Sequence, residues 1–223
     1  ETKRTSRGGD GVMAQHTINV SILGDTYSDS NNPSTNYASA ANLYLKFIGL
    51  EQQSIYIRVD LSTVPARKRI VSAILTLYKN NATIIDNKQM IVRAYIDMPI
   101  NNITYDNSPD MIPGSSGSCI ISSAGVGNVD FDILTALTSA LAAGVSTIWI
   151  KPYASDAELM IFNSLEAASN KPSLSVMYED VPPSAPTPND PIGDYKDNKA
   201  VVRFAWQYNS DVGGTQKAFD LQW

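Results

Sequence analysis

Ile55-Tyr56-Ile57-Arg58-Val59-Asp60-Leu61 decides how this chain reads. Aliphatic residues at 55, 57, 59 and 61 alternate with Tyr56, Arg58 and Asp60, the period of two that sends successive side chains to opposite faces of a strand. The pattern recurs on both sides. Ile18, Val20 and Ile22 alternate with polar residues, and Leu43, Leu45 and Phe47 alternate with Asn42, Tyr44 and Lys46. Val71, Ala73, Leu75 and Leu77 form a further face, as do Met90, Val92, Ala94 and Ile96. Residues 146–151, 159–162 and 173–178 read as later strands. One helix interrupts: Asp132 can cap it, Ile133, Leu134, Leu137 and Leu141 follow at helical spacing, and Gly144 can supply the left-handed stop. Many short strands, turn clusters and one helix predict an all-β, antiparallel sandwich.

Composition narrows the function classes. The chain has 223 residues, 43% of them hydrophobic, enough for one sizeable core and part of another domain. Only 17% are charged and the net charge is −5, which argues against a nucleic-acid partner. Cys119 is the sole cysteine, so the fold rests on its core and not on an intrachain disulfide. No run is long and apolar enough to insert in a membrane as a helix. Glu1 to Gly11 is polar and basic and does not read as a signal peptide.

Residues 1–16 read as an arm. Residues 180–190, with Pro182, Pro183, Pro186 and Pro188, read as a stiff linker. After it, Val202, Phe204, Trp206 and Tyr208 alternate, Gly213-Gly214 turns, and Phe219, Leu221 and Trp223 alternate again. Residues 191–223 resemble the opening strands of a fibronectin type III domain, an immunoglobulin-like sandwich. Two or three strands cannot bury their own faces, so the natural protein is expected to continue past Trp223.

Several runs inside residues 17–179 read together: Asp25-Thr26-Tyr27, Pro33-Ser34-Thr35-Asn36-Tyr37, the strand around Arg58, Thr104-Tyr105-Asp106-Asn107, Glu166-Ala167, and Pro172-Ser173-Leu174-Ser175-Val176. In this order they resemble the DNRLRE domain family of bacterial and bacteriophage surface modules. Tyr105 and Val59 depart from the tryptophan and phenylalanine of that pattern. The resemblance implies a jelly-roll-like β-sandwich with a non-catalytic role in adhesion, glycan binding or structural display. It implies a place outside the cell, on a cell surface or on a virion. Two settings compete. One is a phage or prophage tail or head fibre, with other structural proteins of the assembly as partners and room for a homo-oligomer. The other is a carbohydrate-binding module appended to a secreted bacterial polysaccharide-degrading enzyme. Glu1-Thr2-Lys3-Arg4-Thr5 resembles a repeat of phage-type structural proteins and leans to the first.

No catalytic device stands out. His16, the single histidine, lies in the arm, and Cys119 has no nearby base. For glycan binding, a host or environmental polysaccharide needs a flat aromatic face beside polar groups. Trp149 alternates with Thr147 and Lys151 opposite Ile148 and Ile150, which suggests an outward indole, although a β-sandwich can also bury both faces of a central strand. Trp149, Thr147, Lys151 and Tyr56 are the glycan candidates. Arg58 is costly to bury alone and is expected to pair with Glu166 or Asp25. Asp25 and Glu166 are also oxygen donors suited to one structural calcium, or simply a turn residue and an ion-pair partner.

Overall fold

The computed structural model describes residues 14–81, 88–121, 125–153, 157–181, 187–190 and 205–207. The chain runs β1 (Gln15–Val20), β2 (Ile22–Asp29), β3 (Asn42–Ile48), β4 (Glu51–Asp60), β5 (Arg69–Lys79) and β6 (Lys88–Ile96). It continues as β7 (Gly117–Ile121), β8 (Gly127–Asp132), α1 (Leu134–Ala142), β9 (Thr147–Tyr153), β10 (Ala157–Asn163) and β11 (Ser173–Glu179). These eleven strands form one sheet, with the order β1-β11-β5-β10-β3-β4-β9-β6-β7, β2 against β4 and β8 against β5. Every strand pair with a resolved register is antiparallel.

The deciding alternation lies in β4, and β4 organises the sheet. β2 runs along one of its edges, from Ile22 opposite Val59 to Asp29 opposite Gln53. The other edge is shared: β3 takes Glu51 to Gln53, and β9 takes Ile57 to Asp60. That sharing lets one sheet fold over into a jelly-roll-like sandwich. Ile55, Ile57 and Val59 of β4 meet Leu43 and Leu45, Leu75 and Leu77, Val92, Ile150 and Phe162 in one core, all fully or almost fully buried. The opposite side of β4, with Tyr56 and Arg58, forms a second face.

The helix follows the local chemistry. Asp132 Oδ1 accepts the free Leu134 amide at 2.9 Å, and Gly144 takes the left-handed conformation (φ 71°) that ends it. Ala136, Leu137 and Ala140 are buried, and Leu134 and Leu141 are half-buried against the same core.

Two strands were not legible. β7 lies in Ser- and Gly-rich sequence, and in β8 only Val129 and Phe131 mark the buried face. The single strand expected through Ile18, Val20 and Ile22 is broken at Ser21, whose carbonyl accepts the Asp60 amide at 3.0 Å. The break separates β1 from β2, and a register shift between Ile22 and Gly24 follows inside β2.

Residues 15–65 and 70–178 form one compact unit. In the other, β12 (Thr187–Asp190) pairs antiparallel with β13 (Ala205–Gln207), placing Pro188 opposite Trp206. The whole of β12, inside the 180–190 stretch expected as linker, thus stands in a strand. The remaining alternation of residues 191–223, the arm to residue 13 and the proline run at 182–186 lie outside the described residues.

Candidate functional site

Residues directly opposite in an antiparallel pair share a face, so the registers define the second face of the β2-β4-β9-β6 layer. Gly24 faces Arg58, Thr26 faces Tyr56, Arg58 faces Trp149, Tyr95 faces Trp149, and Arg93 faces Lys151. This face is chemically mixed where the core face is aliphatic, and it carries all four glycan candidates.

Half of it is roofed. The segment from Met98 to Ile103 lies on Tyr56 and Trp149, where its Met98, Ile100 and Ile103 form a small apolar cluster with those rings and Tyr95. Gly24 permits this approach, since a Cβ there would stand 2.9 Å from Ile100 Cδ1. Asn36 Nδ2 donates to the carbonyls of Ile100 and Ile103 at 2.7 and 2.8 Å, and the Asp106 amide donates to the Pro33 carbonyl at 3.1 Å. The Pro33–Tyr37 and Thr104–Asn107 runs are therefore two halves of a clasp.

The roof corrects the expected platform. Trp149 is completely buried, and its indole Nε1 donates to the Met98 carbonyl at 3.0 Å. Tyr56 is buried as well. Burial pushes the Tyr56 phenol up, against the lowering effect of the Ser28 and Ser108 hydroxyls. Neither ring can stack on a sugar. Polar neighbours on the strand misled because a loop distant in sequence covers this face. Thr147 is half-buried opposite Asp60, on the far side of Trp149 from Lys151.

Beyond the roof, Lys151 and Arg93 lie side by side. Lys151 Nζ donates to the Tyr56 hydroxyl at 3.0 Å and stands 4.9 Å from the Tyr56 ring centre and 5.8 Å from that of Tyr95. Burial lowers the affinity of its ammonium for the proton, Tyr95 opposes this, and Arg93 reinforces it. Arg93 lies 5.8 Å above the Tyr153 ring, and its buried Nε has no hydrogen-bond partner among the described residues. Neither cation meets a carboxylate among the described residues. Tyr95 and Tyr153 are half-buried beside them, with Phe47 edge-on to Tyr153 at 5.3 Å.

A second constellation lies on the core-facing side of β2. Asp25 stands opposite Ile57, is only 1% exposed, and accepts the Leu165 amide on Oδ2 at 2.8 Å. Glu166 reaches Asp25, while Ser164 Oγ donates to Glu166 Oε2 at 2.9 Å. The structure thus brings Asp25 and Glu166 together but leaves Arg58 elsewhere. No group of three or more metal-binding His, Cys, Asp or Glu side chains exists among the described residues.

With this geometry in view, comparison with known families is informative. The family model for carbohydrate-binding module family 96 matches residues 16–178. The chain belongs to carbohydrate-binding module family 96. No curated protein matches it. The matched span covers the whole sandwich up to Tyr178 near the end of β11, including both constellations. Carbohydrate-binding modules are non-catalytic domains, commonly extracellular or surface-associated. No helix among the described residues is long and apolar enough to cross a membrane.

Arg58 in this family 96 module has a partner the sequence reading missed. Its Nε and Nη2 donate to the two carboxylate oxygens of Asp97 at 2.7 and 2.6 Å, which replaces the expected pairing with Glu166 or Asp25. The physical reason is the face: Arg58 lies on the outer side of β4, and Asp25 lies on the core side of β2. Both side chains remain about 30% exposed, at 28% and 32%. Solvent screens such a pair, so a double-mutant cycle of Arg58→Ala with Asp97→Ala should give a coupling of about 1 kcal/mol in urea denaturation. The same cycle with Glu166→Ala should give none; measurable coupling there would restore the original pairing. Arg93, Tyr95 and Asp97 all stood in the sequence as the polar side of the Met90–Ile96 alternation and its next step, and that phase was their signal.

Proposed function

We propose that this module binds a carboxylate-bearing polysaccharide on the open part of the β9–β6 outer face. One observation carries the reading: Lys151 and Arg93 lie together between half-buried aromatic rings, with no acidic partner among the described residues. Two cations that meet no carboxylate from the described residues leave room for one from a ligand, which would accept charge-assisted hydrogen bonds from the guanidinium and ammonium heads. Tyr95 and Tyr153 would offer apolar surface to the pyranose C–H groups. Tyr56 then serves as the group that positions Lys151, and Trp149 as the packing beneath it. Family membership favours the setting of a module appended to a secreted bacterial polysaccharide-degrading enzyme over the phage-fibre setting, because the family is defined by glycan binding.

The test compares a uronic-acid polysaccharide with the same polymer after chemical reduction of its carboxyl groups. The native polymer should bind and the reduced one should not, and rising salt should weaken binding. Arg93→Met and Lys151→Met should each weaken it by roughly 10–100-fold with a nearly unchanged Tm. Equal binding of native and reduced polymers would overturn the proposal.

A further inference from the structure

The Asp25–Glu166 pair is poorly compensated as two carboxylates. Asp25 Oδ2 has the Leu165 amide, but its Oδ1 is buried and meets no donor among the described residues. Glu166 follows the Leu165 amide that Asp25 holds and acts on the Asp25 carboxyl, and its own carboxylate is fixed by Ser164, whose Oγ donates to Glu166 Oε2 at 2.9 Å and accepts the Glu166 amide at 3.1 Å. Lys171 is exposed, and its attraction for Asp25 is the weakest of the influences acting there. Two carboxylates at hydrogen-bonding range repel each other unless a proton or a cation lies between them.

We propose that Asp25 Oδ1 and the Glu166 carboxylate bind one calcium ion where β2 meets the turn at residues 164–166. The donor chemistry selects the ion. All the side-chain donors here are oxygens, which suits a hard cation, and their two negative charges match a divalent one. Magnesium demands near-octahedral geometry and sheds water reluctantly, whereas calcium accepts irregular sets completed by backbone carbonyls and water. Glu166 is exposed, which gives the ion a way in.

The experiment uses the full chain, freed of metal with a chelator and dialysed. Calorimetric titration with calcium chloride should show one site. Calcium about a hundredfold above its Kd should raise Tm by roughly 5–10 °C, and magnesium at equal concentration should do much less. Asp25→Asn should abolish the response while melting at or above the parent in chelator, because the amide can donate to Glu166. Glu166→Gln, at an exposed position, should lose the response too and guards against misfolding of the first variant. No calcium heat and no shift in the parent would overturn the proposal, as would a full calcium response in either folded variant.

Discussion

Replacing Trp149 by alanine should lower the unfolding free energy by about 3–5 kcal/mol, read by urea denaturation. The ring is wholly buried between the outer face of β9 and the Met98–Ile103 roof, so truncation leaves a large cavity beside Tyr56. It also orphans the Met98 carbonyl, which the indole N–H now satisfies at 3.0 Å. Trp149→Phe separates the two losses: it restores most of the volume but not the donor, so its cost should fall well below that of alanine. Any loss of glycan binding should track the unfolded fraction or the loosening of Lys151. An exposed sugar platform would give the reverse, a stable protein that no longer binds. A Trp149→Ala protein with unchanged stability would therefore mean that the Met98–Ile103 segment does not cover the ring.

Why Trp149 was misplaced, while β4 was not, follows from what periodicity can report. Alternation says which side chains share a face of a strand, and it placed Ile55, Ile57 and Val59 on one face and Tyr56 and Arg58 on the other. It cannot say what lies above the second face. That depends on Gly24 admitting Ile100 and on Asn36 holding the carbonyls of Ile100 and Ile103, contacts between segments more than 60 residues apart. The same limit explains Arg58. Its face was legible, but its partner Asp97 lies 39 residues away, just past the end of β6. Asp25 and Glu166 stood in the sequence as alternative partners of Arg58 or as oxygen donors for calcium; their meeting depends on the Leu165 amide, 140 residues from the Asp25 carboxylate that accepts it. β7 escaped because it sits in Gly- and Ser-rich sequence, and β8 because its alternation is only two apolar residues long, Val129 and Phe131.

Leu137→Ala should cost about 2–5 kcal/mol, the second large effect expected here. Leu137 has no exposure and lies at the centre of the buried helix face with Ala136 and Ala140. Those two alanines have no volume to spare, so nothing on α1 can fill the space left behind. The helix is also tied down at its start, by Asp132 on the Leu134 amide, and in its second half, by Ser139 Oγ on the Gly114 carbonyl at 3.0 Å. It cannot easily slide to close the cavity. The helix packs against β6 and β7, and β6 carries Arg93 and Tyr95 on its other side. Leu137→Ala should thus lower stability while glycan affinity per folded molecule stays close to the parent, because β6 keeps its register with β9 from Ile91 to Ile96. A cost below about 0.5 kcal/mol would make α1 a surface ornament. A stable variant with lost affinity would mean that the helix shapes the binding face through β6.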